Sequence, residues 1–488
     1  MASELLLTFD VGTTAVKSVL WDTSIRPVAV HRQEYTLQAV GDRVEVDPGR
    51  YRELVTRGAR AVLDGVDAGR VSAICLTTQG ETLVAVDGAG RPLGPAIVWL
   101  DARASAEARS LRERLDPDHF YRHTGIPLLD GTAPLAKAVH LAPLLRRTDG
   151  ARLLLLEDYL VHWLTGRTVS NRSLQTSTGW FDLEADDYWD EGLLAAGLDR
   201  GLLPELLDSG QRIGALLPDV AAELGLDPGV VVVSGAMDQA AAALGAGLSE
   251  PGVLGVSFGT ALVVSGLLPG PVGDGAVRPT VYRHALPGPM LGILFEPTSG
   301  ALLRWLRTLL DPDGSGRPSY ADLDALAAEA GPGSGGVLAL PLFGGADRPS
   351  RGALLGLGLA SGRAQLWRSL LEATSFALRE RVVAFAALGA PVTELRSSGG
   401  GSGSALWQSI AADVCGVPVR PVPFGEAASA GAALLCAWGA GLVPAGDDPR
   451  PLATGEVYNP VHHAQYSALA GRYQAAMAAL DPFWAART

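Results

Sequence analysis

The chain has 488 residues, 48% hydrophobic and 19% charged, with a net charge of −13; this length points to two domains and this composition excludes a disordered chain. The acidic balance and the lack of any Lys/Arg run exclude a nucleic-acid binder. Three cysteines without a CxxC, and no run near the ~18 apolar residues of a membrane span, lead us to expect a cytoplasmic protein with no nucleic-acid or membrane partner.

In chain order, Leu5 to Trp21 reads as a strand, a tight Gly12-Thr13-Thr14 turn and a second strand. Val71 to Leu76 and Leu83 to Val86 read as strands, and Ala102 to Arg114 and Leu153 to Leu164 as helices. Val230 to Val233 is a β-branched run of buried-strand type, followed by an Ala-rich helix from Gln239 to Leu244. Val253 to Val264 repeats the opening pattern, with Gly259-Thr260 in the place of Gly12-Thr13, about half a chain later. Helices are expected over Gly300 to Leu310 and Gln365 to Leu388. Arg396 to Gly403 is a Gly/Ser loop between a strand and a helix whose apolar positions Trp407, Ile410, Ala411 and Val414 follow helical spacing. A last helix spans Ala464 to Leu480. This is an α/β pattern with a strand–Gly-Thr–strand unit opening each half, so the expected domains are 1–246 and 247–488.

Phosphoryl transfer needs donors that cradle phosphates, a metal site and a base that orients the attacking hydroxyl. The Asp10-Val-Gly-Thr-Thr turn supplies the first two: glycine lets backbone approach a phosphate, and Asp10 is a candidate magnesium ligand. Gly259-Thr260 is a second candidate phosphate grip, with Ser257 where the first has Asp10. The chain lacks GxxxxGK[ST], and lacks GxGxxG after its first strand, which excludes a P-loop and argues against a Rossmann site. Asp238 ends a buried strand and opens a helix, where ligands of α/β folds gather, so it is the candidate general base. An N-cap aspartate is the plainer reading of that position, and the two roles can coexist. The only lysines are Lys17, beside the first of these turns, and Lys137, which follows Ala133-Pro134-Leu-Ala.

These residues resemble the FGGY family of carbohydrate kinases, of the actin/hexokinase/Hsp70-like fold superfamily. The resemblance runs from Phe9-Asp10-Val-Gly-Thr-Thr through Trp99-Leu-Asp101-Ala-Arg103, Gly235-Ala-Met-Asp238-Gln239 and Ser257-Phe-Gly259-Thr260. It continues in Gly356-Leu-Gly, Gly399-Gly-Gly-Ser402 and Glu426-Ala-Ala-Ser-Ala-Gly431. It implies two related ribonuclease-H-like (actin-like ATPase) domains with a cleft between them, and an ATP- and Mg2+-dependent kinase. Asp238 is then the catalytic base and Asp10 the metal residue. Thr13, Thr14, Lys17, Gly259, Thr260, Gly400, Gly401 and Ser402 contact ATP, and Gln79, Gly80, Glu81, Trp99, Asp101 and Gln239 line the sugar pocket. The partner is a small sugar or polyol, and the family accommodates a homodimer.

Departures from the family bear on the substrate. Xylulokinases usually carry Gln-Met-His-Gly and glycerol kinases Gln-Arg-Glu-Thr where this chain has Gln79-Gly80-Glu81-Thr82. Asp238-Gln239 also follows the glycerol kinases, whereas Leu83 to Arg103 reads more like the pentulose kinases. Gly80 leaves room for a larger substrate, so a ketopentose such as xylulose is expected, with glycerol, another polyol or a ketohexose as alternatives. A catalytically silent nucleotide-binding regulator on the same fold is the rival of another class, and the presence of both Asp10 and Asp238 speaks against it.

Overall fold

Alternation along Leu5–Val11 sends Leu6 to one face of a sheet and Leu5, Leu7 and Phe9 to the other, and every one of these side chains is buried. A computed structural model describes residues 4–272, 277–311, 313–314, 316, 318–341, 352–389, 391–422, 426–448 and 456–485. The chain divides into two units: Met1–Gly247 with Leu268–Gly292 and Ala427–Leu452, and Leu248–Leu267 with Ile293–Glu426 and Ala453–Thr488. The chain passes from the first unit to the second after Gly247, and two later segments return to the first unit.

The first unit is built on a six-stranded sheet ordered Arg212–Ala215, Val231–Met237, Val71–Thr78, Leu5–Val11, Ala15–Asp22, Pro27–Glu34. Leu5–Val11 and Ala15–Asp22 form the expected hairpin, with Asp10 opposite Lys17. Val71–Thr78 and Val231–Met237 join it in parallel, so the ends of three strands come together at Val11, Thr78 and Met237. Apolar layers cover both faces. One of them includes the helix Ala427–Gly439, whose Ala432, Ala433, Leu434, Leu435 and Cys436 are buried.

Leu153 to Leu155 is strand, not the start of a helix. Arg152–Leu155 pairs with Leu83–Val86, and the helix begins at Leu156, where the Asp158 carboxylate accepts the Leu155 N–H. An apolar run this short satisfies either period, and a neighbouring strand edge decided it.

The second unit repeats the plan. Val253–Phe258 and Leu262–Leu268 form an antiparallel hairpin, Glu394–Ser398 pairs in parallel with the first of them, and Val419–Pro421 follows in parallel. Helices Gly300–Leu310, Arg363–Leu388 and Ala405–Cys415 match the expected spans closely. No helix among the described residues is long and apolar enough to cross a membrane.

Candidate active site

In the first unit, the strand ends gather most of the expected residues. The turn after Asp10 is closed by the Gly12 N–H on the Ala15 carbonyl and by the Tyr35 hydroxyl on the Gly12 carbonyl. Lys17 Nζ stands 3.8 Å from the Asp10 carboxylate. Thr14 is exposed, and the Thr13 hydroxyl accepts the indole N–H of Trp99 at 2.8 Å. Trp99 thus reaches the Gly12–Thr14 turn.

Asp238 opens the helix Asp238–Gly245, and its Oδ1 accepts the Gln239 N–H at 2.7 Å. Desolvation, reinforced by the charge of Asp10, pushes its carboxyl up to about 7. Glu81 adopts a left-handed backbone with φ of 67°. Its carboxyl is also pushed to about 7, first by desolvation and then by repulsion from Asp130 and Asp238, against the pull of Lys137. A non-glycine residue held at positive φ beside a candidate base stores strain where function would use it.

Gln79 is 2% exposed, donates to the Tyr51 hydroxyl and leaves its Oε1 without a partner. Gly80 does not open free space: a Cβ there would lie 3.1 Å from Met237 Sδ and 3.2 Å from Ser177 Oγ. The room that the sequence attributes to Gly80 is occupied by these two side chains. Asp101 is fully buried, and its carboxylate takes up Val44 N–H and three donors of Arg103. Burial works to raise its pKa, but the hydrogen bonds from Arg103 and Val44 win and hold it low. The structure therefore gives Asp101 the work of anchoring the loop that carries Trp99.

Sequence reading missed Asp130 and Tyr282 and left Lys137 unassigned. Lys137 is buried and donates to the Val98 and Trp99 carbonyls at 2.9 and 3.3 Å. Desolvation lowers its pKa to about 8 against the attraction of Glu81, Asp101 and Asp130. Tyr282 comes from the returning segment Leu268–Gly292; desolvation, then the charges of Glu81 and Asp238, push its hydroxyl well above the usual range. Lys137 had a signal, as one of only two lysines; Tyr282 and Asp130 had none.

In the second unit a cavity of about 640 Å³ is lined by Gly259, Thr260, Gly400 and Gly401, together with Arg304, Tyr320, Asp324, Trp367, Ser404 and Trp407. Gly259 O and Thr260 O accept the Gly300 and Ala301 N–H groups, so this turn sits on the N-terminus of Gly300–Leu310. From the same helix Arg304 donates to the Thr260 hydroxyl at 3.2 Å. Gly401 must be glycine, since a Cβ would press on Trp407 and, at 2.7 Å, on Phe258. Ser402 donates to the Gly399 carbonyl and so shapes the loop, whereas Ser404 lines the cavity and donates to Asp324 at 2.6 Å. A mixed cavity at a glycine loop and a helix N-terminus suits a phosphorylated nucleoside.

Residues 5–245 match the model of the N-terminal domain of the FGGY family of carbohydrate kinases, and residues 254–440 match its C-terminal domain. A glycerol kinase of Citrifermentans bemidjiense is 32% identical over 90% of this chain and 91% of its own. A gluconokinase of Bacillus subtilis is 25% identical over 91% of this chain and 89% of its own. The crystal structure of xylulose kinase from Rhodospirillum rubrum superposes with a TM-score of 0.86 at 29% identity, covering 99% of this chain and 100% of that one. The fold is the two-domain, actin-like one that the sequence resemblance implies.

Proposed function

This chain belongs to the FGGY family of carbohydrate kinases, and we propose that it transfers the γ-phosphoryl group of ATP to a hydroxyl of a neutral polyol or ketose, with Asp238 as general base. The observation that carries the reading is the placement of Asp238 at a strand end, facing Asp10, Glu81 and Tyr282, with its carboxyl poised at about 7. At neutral pH such a group is substantially ionised yet still basic enough to take a proton, the balance general-base catalysis favours.

ATP binding falls to the second unit's glycine loop and Thr260 turn, where the Arg304 guanidinium adds positive charge. Among the described residues no group of three or more His, Cys, Asp or Glu is placed to hold a metal. Magnesium fits as part of the nucleotide substrate, held mainly by phosphate oxygens, and Asp10 is the first unit's candidate hard oxygen donor.

The acceptor pocket favours a neutral molecule. Glu81, Asp101 and Asp130 act on one lysine, Lys137, which already donates to two carbonyls, and Asp238 adds its charge beside Glu81. A carboxylate-bearing acceptor such as gluconate would meet this acidic set while the lysine among it is engaged elsewhere. Glycerol and a ketopentose such as xylulose are the leading acceptors, since the space that favoured the larger one at Gly80 is filled by Met237 and Ser177.

Replacing Asp238→Asn tests the mechanism. We expect kcat to fall by about 10²-fold or more while nucleotide affinity, read by titration calorimetry, stays within about twofold. A wild-type kcat in this variant would contradict the assignment.

A further inference from the structure

The strand that delivers Asp238 breaks its own ladder just before reaching it. Val233 pairs with Cys75 and Ala236 with Thr77, so Ser234 and Gly235 together face one residue, Leu76. That is a β-bulge, a device that bends a strand and re-aims the residues beyond the bend. It also frees backbone N–H groups that need acceptors in a buried place. Ser234 N–H finds the Gln211 carbonyl at 2.8 Å. Gly235 N–H donates to Glu157 Oε1 at 3.1 Å, and Met237 N–H to Ser173 Oγ at 3.1 Å. Asn171 ties the two acceptors together: its Nδ2 donates to Glu157 Oε1 at 2.9 Å, and its Oδ1 accepts from Ser173 Oγ at 2.7 Å. Glu157, Asn171 and Ser173 are each at most 2% exposed. The bulge packs so closely that a Cβ on Gly235 would overlap the Leu76 carbonyl.

We propose that Glu157 is a positioning residue for the phosphoryl transfer: with Asn171 and Ser173 it fixes the bulge that aims Asp238. This rests on Asp238 being the base. A carboxyl is an unusual choice for a buried backbone acceptor, where an amide would do. Desolvation, with Asp158 adding repulsion, raises the Glu157 pKa well above the ordinary carboxylate value, which favours the neutral carboxyl with Oε1 as acceptor. Glutamine can therefore reproduce its shape and its acceptor, and alanine cannot.

The test is ADP release with Mg–ATP and the fastest acceptor among glycerol, D-xylulose, D-ribulose and D-fructose. It compares wild type with Glu157→Ala, Glu157→Gln, Ser173→Ala and Asp238→Asn. A base displaced by a fraction of an ångström loses rate without losing nucleotide binding, so we expect Glu157→Ala to lower kcat about tenfold or more with KM for ATP unchanged. Glu157→Gln should keep kcat within about threefold of wild type. A role confined to packing predicts the opposite pattern, a lower Tm with wild-type kcat in the folded enzyme, and that result overturns the proposal. Should Glu157→Ala not fold, Ser173→Ala decides: it deletes the acceptor of Met237 N–H and the donor to Asn171 Oδ1 while leaving Glu157 in place, and a wild-type kcat there overturns the proposal too. If Asp238→Asn keeps its kcat, the base assignment itself fails; if it is inactive while folded Glu157→Ala is fully active, only the positioning role fails.

Discussion

Asp238 and Glu81 share one electrostatic problem. Both carboxyls are pushed to about 7 by desolvation, and Glu81 feels the charge of Asp238 directly. The titration of Glu81 is tied to that of Lys137, whereas Asp10 is the charge that adds to the rise of Asp238. Because the base must be ionised, kcat/KM should rise with pH through an acidic limb near 7 and level off above it. Asp10→Asn removes the charge that repels Asp238 and should shift that limb to lower pH in the rate that remains. A pH–rate profile checks both statements; a limb near 4, the ordinary carboxylate range, would show that the base is not held in this environment.

At the same scale the sequence was informative where a residue type is demanded by local geometry. Asp10, Gly12 and Thr13 are legible because a strand–glycine–strand pattern displays them, and the structure forms that hairpin. Gly80 was misread because a missing side chain in the sequence says nothing about what fills its space, and here Met237 and Ser177 fill it. Asp101 was read as a pocket residue, but its acceptors are taken up by Arg103 and Val44, a pairing with a residue 57 positions away that no local pattern displays.

At the scale of elements, the hairpins, the buried strand before Asp238 and the helices of the second half follow from period and punctuation. The contact between helices Asp238–Gly245 and Ala427–Gly439 does not, because its basis is close backbone approach. A Cβ on Gly431 would overlap the Ala241 carbonyl, and one on Gly245 would overlap the Ala427 carbonyl. Glycine inside an open helix costs stability, so Gly→Ala usually helps. Here the sign reverses. Gly431→Ala should destabilise by about 1–3 kcal/mol through overpacking, which lowers Tm by several degrees, at roughly 2–4 °C per kcal/mol for a domain of this size. Differential scanning calorimetry reads this; an unchanged or raised Tm would mean the two helices separate freely.

At the scale of the molecule, the division of the chain is where sequence reading had least to work with. The repeat of a strand–Gly-Thr–strand unit marks the two units, and both build the same hairpin with two added parallel strands. Yet Leu268–Gly292 and Ala427–Leu452 belong to the first unit, and the latter supplies Leu434, Leu435 and Cys436 to its core. Only long-range packing reveals that. A fragment of residues 1–246 should therefore lack part of its core and fail to fold cooperatively, showing dye binding and no sharp thermal transition. Cooperative unfolding of that fragment, with near-UV circular dichroism typical of fixed packing, would show the returning helix to be dispensable.

A pocket whose acidic set repels carboxylates should phosphorylate a neutral acceptor. The decisive experiment is a coupled ADP-release assay with Mg–ATP against glycerol, D-xylulose, D-ribulose, D-fructose and D-gluconate. We predict one neutral acceptor with kcat/KM far above both gluconate and the acceptor-free blank. Gluconate as the best substrate, or no acceptor raising ADP release above the blank, would overturn this reading of the pocket.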